Sequence, residues 1–174
     1  MTAARGRHRP GYIPAMTITQ FAVPADQRYF EDYTPGAVFE FGATVVSEQE
    51  LVSFAQAYDP QSFHVDREAA AHSMFGGLIA SGWHTASLTM RMLVDHYLSS
   101  VASLASPGVD ELRWLAPVRP GDVLRVRVTV DDARRSRSRG DRGVVTSSVE
   151  VLNQHGVVVM TLKAVNLLLT RSAA

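Results

Sequence analysis

The residues from Ser81 to Leu98 constrain the fold most. They predict one long helix whose apolar side chains Trp83, Ala86, Met90, Leu93, Val94 and Tyr97 spread over most of its circumference. A helix apolar on so many sides needs other structure wrapped around it. A stripe of His84, Ser87, Arg91 and Asp95 follows helical spacing and predicts the polar side, with His84 in a structural or interface role.

Strands supply the wrapping. Leu124 to Val130 alternates apolar and polar residues, so one face is core and the other is wet. Val144 to Leu152 and Val157 to Leu169 follow, joined by Asn153-Gln154-His155-Gly156, a hairpin turn by composition. With a strand near Val109 to Leu115 and a first strand at Val38 to Val46, this predicts an antiparallel sheet around a single helix, an α+β arrangement. At 174 residues the chain is one domain with room for a substantial core. Pro10, Gly11, Pro14 and scattered Arg residues predict a flexible arm over 1–28, a domain over 29–170 and a short tail over 171–174.

Between the first strand and the long helix lies the chemistry. Ser47 with Glu50 three residues on is a capping-box signature, and Leu51, Phe54 and Ala55 give the helix after it one apolar face. Pro60 stops that helix and leaves Asp59 at its end, while His64 follows in a loop over Pro60 to Asp66. Glu68 to His72 predicts a further helical turn. An Asp and a His held by one loop can share a water, as general acid–base chemistry requires. Each also has a plainer reading, Asp59 as a cap or turn residue and His64 as a hydrogen-bonded loop histidine. Phe75-Gly76-Gly77-Leu78-Ile79-Ala80 is too rich in glycine for a stable helix and too apolar for an exposed loop, which predicts a buried approach to the site. Gly82, leading the long helix, has an amide free to stabilise negative charge on a carbonyl oxygen, with Ser81 placed to cap that helix.

These residues resemble the MaoC-like acyl dehydratases and (R)-specific enoyl-CoA hydratases of the hotdog superfamily. That family's motif has an Asp, an Asn-Pro pair, His-x-Asp, and later an apolar run ending in His-Gly before the central helix. Asp59, His64 and Asp66 stand where the motif has its Asp, His and second Asp, and Gly82 where it has the helix-leading Gly. Ala116-Pro117-Val118-Arg119-Pro120-Gly121-Asp122 resembles the family's Pro-Val-x-x-Gly-Asp turn, so the resemblance covers roughly Tyr29 to Thr170. Gln61-Ser62 replaces the usual Asn-Pro, and Ser81 replaces the His of His-Gly.

The resemblance implies a single hotdog domain and a hydro-lyase acting on an enoyl-CoA or enoyl-carrier-protein substrate. Asp59 and His64 would hold the water and the Gly82 amide the thioester oxygen. Phe75, Leu78, Ile79, Trp83 and Met90 would form an apolar wall for the acyl chain, each being equally a plausible core residue, and Gly76, Gly77 and Ser81 would complete the substrate site. It also implies a homodimer or higher homo-oligomer. No cofactor is expected beyond the coenzyme A of the substrate. Two rivals share the fold: a thioesterase, for which the long helix offers only Asp95, and a module that binds an acyl thioester without turning it over.

Other classes find little support. Lys plus Arg and Asp plus Glu number 17 each, which argues against coating nucleic acid or an anionic membrane. There is no Cys, which removes disulfides, thiolate nucleophiles and Cys-ligated metals, and a reducing cytoplasm fits. His64, His72, His84 and His96 show no metal-ligand spacing, Gly77 to Gly82 lacks the setting of a nucleophile elbow, and the glycines lack a P-loop lysine. Arg91 and Asp95 interrupt the best membrane-span candidate, and the N-terminus lacks the apolar core of a secretory signal. Arg134 to Arg139 predicts a solvated hairpin tip, with a grip on coenzyme A phosphates as the alternative.

Overall fold

Strand β3 (Val123–Arg135) carries its apolar side chains on alternate residues, and Leu124, Val126, Val128 and Val130 are all but fully buried. Its other face is polar. There the register sets Arg127 opposite both Glu40 and Glu150, and its guanidinium bonds to each, at 3.0 and 3.3 Å. The sheet therefore has one side for a core and one for water.

The computed structural model describes residues 17–173. Strands β1 (Val38–Val45), β2 (Ser103–Trp114), β4 (Arg142–Leu152) and β5 (Val158–Leu169) join β3 in one antiparallel sheet of order β1-β3-β4-β5-β2. Four helices stand between β1 and β2: α1 (Glu48–Tyr58), α2 (Ser62–Val65), α3 (Arg67–Ala71) and α4 (Gly82–His96). The core joins Met92, Leu93 and Tyr97, at the end of α4, to the inner face of the sheet. This is the hotdog arrangement, in which the sheet curls around one long helix.

The C-terminus of α4 is fixed from a distance. Arg28 donates to the carbonyls of His96 and Tyr97 at 3.1 and 2.7 Å, where a cation is favoured by the helix dipole, and its guanidinium covers the Phe21 ring. Phe21 itself stacks on Phe39 with centroids 4.1 Å apart. Residues 17–28, assigned to the flexible arm, thus pack on the domain, while residues 1–16 lie outside the described residues. At the other end Arg171, assigned to the tail, pairs with Asp32 at 2.7 Å.

Five further expectations change. The predicted loop over Pro60 to Asp66 contains α2, so His64 sits on a helical turn, with Asp66 capping α3 through the amides of Glu68 and Ala69. The capping box of α1 is half formed, with the Glu50 amide donating to Ser47 Oγ at 3.4 Å. Strand β2 begins at Ser103, ahead of the strand expected near Val109. The chain covers only one side of α4, since Trp83, Met90 and Val94 are about half exposed. His84, placed on the polar stripe by its spacing, is instead buried against Phe54 of α1, with ring centroids 5.0 Å apart.

Candidate active site

Helix α1 ends at Tyr58 because Pro60 cannot continue it, and Asp59 closes the last turn with its amide bonded to the Ala55 carbonyl at 2.8 Å. The backbone then leaves the helical region at Asp59 (φ −152°, ψ 65°), and the carboxylate finds its partners beyond the helix. Gln61 Nε2 donates to Asp59 Oδ1 at 2.8 Å and Ser81 Oγ donates to Oδ2 at 2.7 Å. These two bonds, the Ser81 one larger, hold the Asp59 carboxyl below its usual range, with the nearby His64 a smaller influence in the same direction; burial opposes them.

His64 Nε2 lies 3.4 Å from Asp59 Oδ2. Its other nitrogen, Nδ1, is 2.8 Å from the Ile79 carbonyl, which only accepts, so Nδ1 carries a proton. The Ile79 amide in turn donates to the Phe63 carbonyl at 3.3 Å, and the Ala80 amide to Val118 at 2.8 Å. The glycine-rich approach is thereby pinned on both sides, and Leu78, Ile79 and Ala80 are buried as expected of it.

Helix α4 starts beside this pair. Ser81 Oγ accepts the Trp83 amide at 3.2 Å while donating to Asp59. Gly82 is the first helical residue, and its N–H has no acceptor within the helix. The absence of a side chain at Gly82 is required, because a Cβ there would run into the indole of Trp114. Trp114 also packs edge-on against Trp83, with centroids 5.3 Å apart.

A cavity of about 560 Å³ opens in front of these groups, lined by Asp59, His64, Gly82 and Trp114 among others. Of the expected substrate residues, Phe75, Ile79 and Trp83 line it; Gly76, Gly77, Leu78 and Ser81 do not. Met90 lines a separate apolar cavity of about 210 Å³ under α4, which shares Trp83 with the first. None of Arg134 to Arg139 reaches either cavity. Asp95 is exposed and tied to Arg91 at 2.6 Å, away from the cavity.

Trp114 and Leu115 were not legible as site residues. In sequence they end a strand, and only the fold brings them to the start of α4. Irregular pairing of β2 with β5 between Asp110 and Arg113 contributes, together with Glu111 at φ 53°, a left-handed value that is costly for a residue with a side chain. Among the described residues no cluster of three or more His, Asp or Glu could hold a metal, and no helix is long and apolar enough to cross a membrane.

A hotdog domain with a neighbouring Asp and His beside the N-terminus of its central helix is the class these features define. The family model described as "MaoC like domain" matches residues 31–153, and the chain belongs to the MaoC-like dehydratase family. It is 43% identical to the crystal structure of a MaoC-like dehydratase from Rhodospirillum rubrum, with a TM-score of 0.77 over 83% of this chain and 98% of that one. The R-hydratase PhaJ1 from Pseudomonas aeruginosa superposes with a TM-score of 0.62 at 25% identity, covering 79% of this chain and 83% of that one. A 3-hydroxybutyryl-CoA dehydratase from Methylorubrum extorquens is 33% identical over 116 residues, 64% of this chain and 69% of that protein. Protein MaoC of Klebsiella aerogenes is 33% identical over 104 residues, 59% of this chain, but the match spans only 30% of its length.

Proposed function

We propose that this protein is an acyl-thioester hydro-lyase that reversibly hydrates a 2-enoyl-CoA, or the equivalent carrier-protein thioester, to the (R)-3-hydroxyacyl thioester. The observation that carries this reading is the 3.4 Å approach of His64 Nε2 to Asp59 Oδ2 in a cavity that also contains Gly82 at the start of α4. A water held between the two side chains would face an acyl chain whose thioester oxygen rests on the Gly82 amide. Family membership and the relatives named as dehydratase and R-hydratase support the reaction class and its stereochemistry.

In the hydration direction the water oxygen bonds to C3 and its proton passes to Asp59, which enters as a carboxylate. His64, entering protonated, delivers the Nε2 proton to C2 as the C2–C3 π bond is lost. Charge that builds on the thioester oxygen is met by the Gly82 N–H, a contact worth about 3–4 kcal/mol when such a donor is deleted elsewhere. The proton then returns from Asp59 to His64 across the 3.4 Å gap, and the pair is reset. One water is added, and no electron acceptor or cofactor is needed beyond the coenzyme A the substrate carries. The exposed position of Asp95 weighs against the thioesterase reading.

The working unit we propose is a homodimer. Strand β2 is an edge of the sheet, and Leu104 and Val109 on it are exposed together with Trp83, Met90 and Val94 of α4. A second copy laid along this edge would cover that apolar surface and flank the cavity at Trp83 and Trp114.

Loss of the enoyl-thioester absorbance of crotonyl-CoA and of longer or branched enoyl-CoAs tests the function. Loss that depends on Asp59 supports it. No loss, with release of free thiol from saturated acyl-CoA, would transfer the protein to the thioesterases; binding without either reaction would make it an acyl-thioester-binding module.

A further inference from the structure

We infer that Ser81 is a positioning residue that holds the Asp59 carboxylate in register with the Gly82 amide. The inference rests on the hydro-lyase reading for its catalytic meaning and on geometry for everything else. Ser81 is completely buried and does not line the cavity, so its role is not contact with substrate. Its hydroxyl has one proton, and that proton goes to Asp59 Oδ2 at 2.7 Å. Ser81 Oγ itself accepts the Trp83 amide at 3.2 Å.

A continuous chain of bonds results. It runs from Gln61 Nε2 to Asp59 Oδ1, from Asp59 Oδ2 to Ser81 Oγ, and from Ser81 Oγ to the backbone of α4 one residue past Gly82. An ordinary N-cap serine only accepts from the helix. Here the cap also donates outward to a carboxylate on another helix end, so the proton acceptor and the oxyanion donor cannot drift apart without breaking a partly buried bond. Reaction rates fall steeply when reacting groups are misplaced by as little as an ångström. Ser81 also stands where the family pattern has the His of His-Gly, and in this chain it is a hydroxyl that holds Asp59.

The second consequence is electrostatic. Two donors and no like charge favour the ionised form of Asp59, which is the form that can accept the proton of water. Facing it are His64 from α2, Gln61, Ser81, and the exposed Tyr58 that lines the same cavity. Removal of the Ser81 donor therefore moves the titration of Asp59 upward.

The test uses Ser81→Gly, which removes the hydroxyl while Gly remains a tolerated residue at a helix start, and Ser81→Thr, which keeps it. The side-chain carboxyl carbon of Asp59 is titrated by NMR in each full-length protein, a readout that needs no substrate. The expected result is an upward move of the midpoint in Ser81→Gly and its return toward wild type in Ser81→Thr. With an accepted enoyl-CoA, Ser81→Gly lowers kcat by about tenfold to a hundredfold with KM little changed, and the acid limb of the pH–rate profile moves up. An Asp59 midpoint unchanged in Ser81→Gly overturns the inference, as does a kcat loss with the same pH profile, which would leave Ser81 a cap alone. Absence of turnover by the wild type across the panel would sink the hydro-lyase reading and leave the NMR result to decide the role of Ser81.

Discussion

The indole of Trp114 occupies the space that a Cβ on Gly82 would need. Helix positions ordinarily gain about 0.5–1 kcal/mol when Gly becomes Ala. At Gly82 the sign reverses, because the new methyl group meets an aromatic ring rather than solvent, and overpacking of this kind costs about 1–3 kcal/mol. Gly82→Ala is expected to lower the thermal midpoint and to reduce turnover by at least a hundredfold, since the amide proposed to meet the thioester oxygen would be displaced. Gly82→Ala combined with Trp114→Ala is expected to recover the midpoint partly. A Gly82→Ala protein as stable as wild type would show that Trp114 yields freely.

Asp59→Asn is expected to abolish turnover with little change in stability. The side chain keeps its shape, and Asp59 is partly exposed, so the cost is confined to the bonds with Gln61 and Ser81. Ser81 can reverse its hydroxyl to accept from an Asn amide. Loss of at least a thousandfold in kcat with an unchanged far-UV spectrum is the outcome to measure; near-normal kcat would remove Asp59 from the mechanism.

His64→Ala is a different matter. A site made only of loop residues would tolerate it, but His64 is buried and bonded to the Ile79 carbonyl at 2.8 Å. Truncation leaves that carbonyl unpaired and opens a void, for about 1–3 kcal/mol. His64→Gln is the better probe, expected to abolish turnover with a smaller loss in the urea midpoint than His64→Ala. Equal midpoints for the two would show that the Ile79 bond contributes nothing.

How far these features were legible in the chain depends on their range. Ser47 and Pro60 bracket α1 through local rules, and the alternation from Leu124 to Val130 marks β3, because capping, proline sterics and strand period act over a few residues. Asp59 and Gly82 could be marked for the same reason, as one closes and the other opens a helix, whereas His64 is marked by its place in the family's motif. Trp114 could not, since its neighbour at Gly82 is set by how β2 pairs at the sheet edge. His84 misled because helical spacing gives its angle around α4 but not the arrival of Phe54 from α1. The four residues of α2 are too few to show any period. Phe21 and Arg28 looked like parts of an arm because their partners, Phe39 and the end of α4, lie far along the chain.

His84 makes stability sensitive to mild acid. Burial holds its imidazole below the ordinary value, against a weaker pull upward from Glu50, and Nδ1 has no hydrogen-bond partner among the described residues. The unfolded chain takes up the proton near pH 6.5 while the folded protein resists it. The unfolded state then binds more protons, so the folded state loses stability as pH falls below about 6.5, until the folded value is passed. His84→Phe, which keeps the stack on Phe54, is expected to reduce the difference in urea midpoint between pH 7.5 and pH 5. Asp59, held low in the folded state, loses its contribution only as pH falls through the ordinary carboxylate range and below, so it leaves the comparison between pH 7.5 and pH 5 largely untouched. An identical difference in the two proteins would clear His84 of the effect.

The open edge of β2 gives the last prediction. Val109 on that strand is 54% exposed, and the helix beside it presents Trp83, Met90 and Val94 to solvent. A free edge with apolar side chains invites a partner strand, whereas a lysine on such an edge is a common device against pairing. Val109→Lys is therefore expected to convert a dimer to a monomer in sedimentation velocity, with the far-UV spectrum unchanged because Val109 is outside the core. Turnover should fall with dissociation and recover as protein concentration rises, since the partner would flank the cavity at Trp83 and Trp114. A wild-type protein that sediments as a monomer at working concentration and turns over normally would refute the dimeric site. Dissociation of Val109→Lys with full activity would keep the interface and show that each chain carries a complete site.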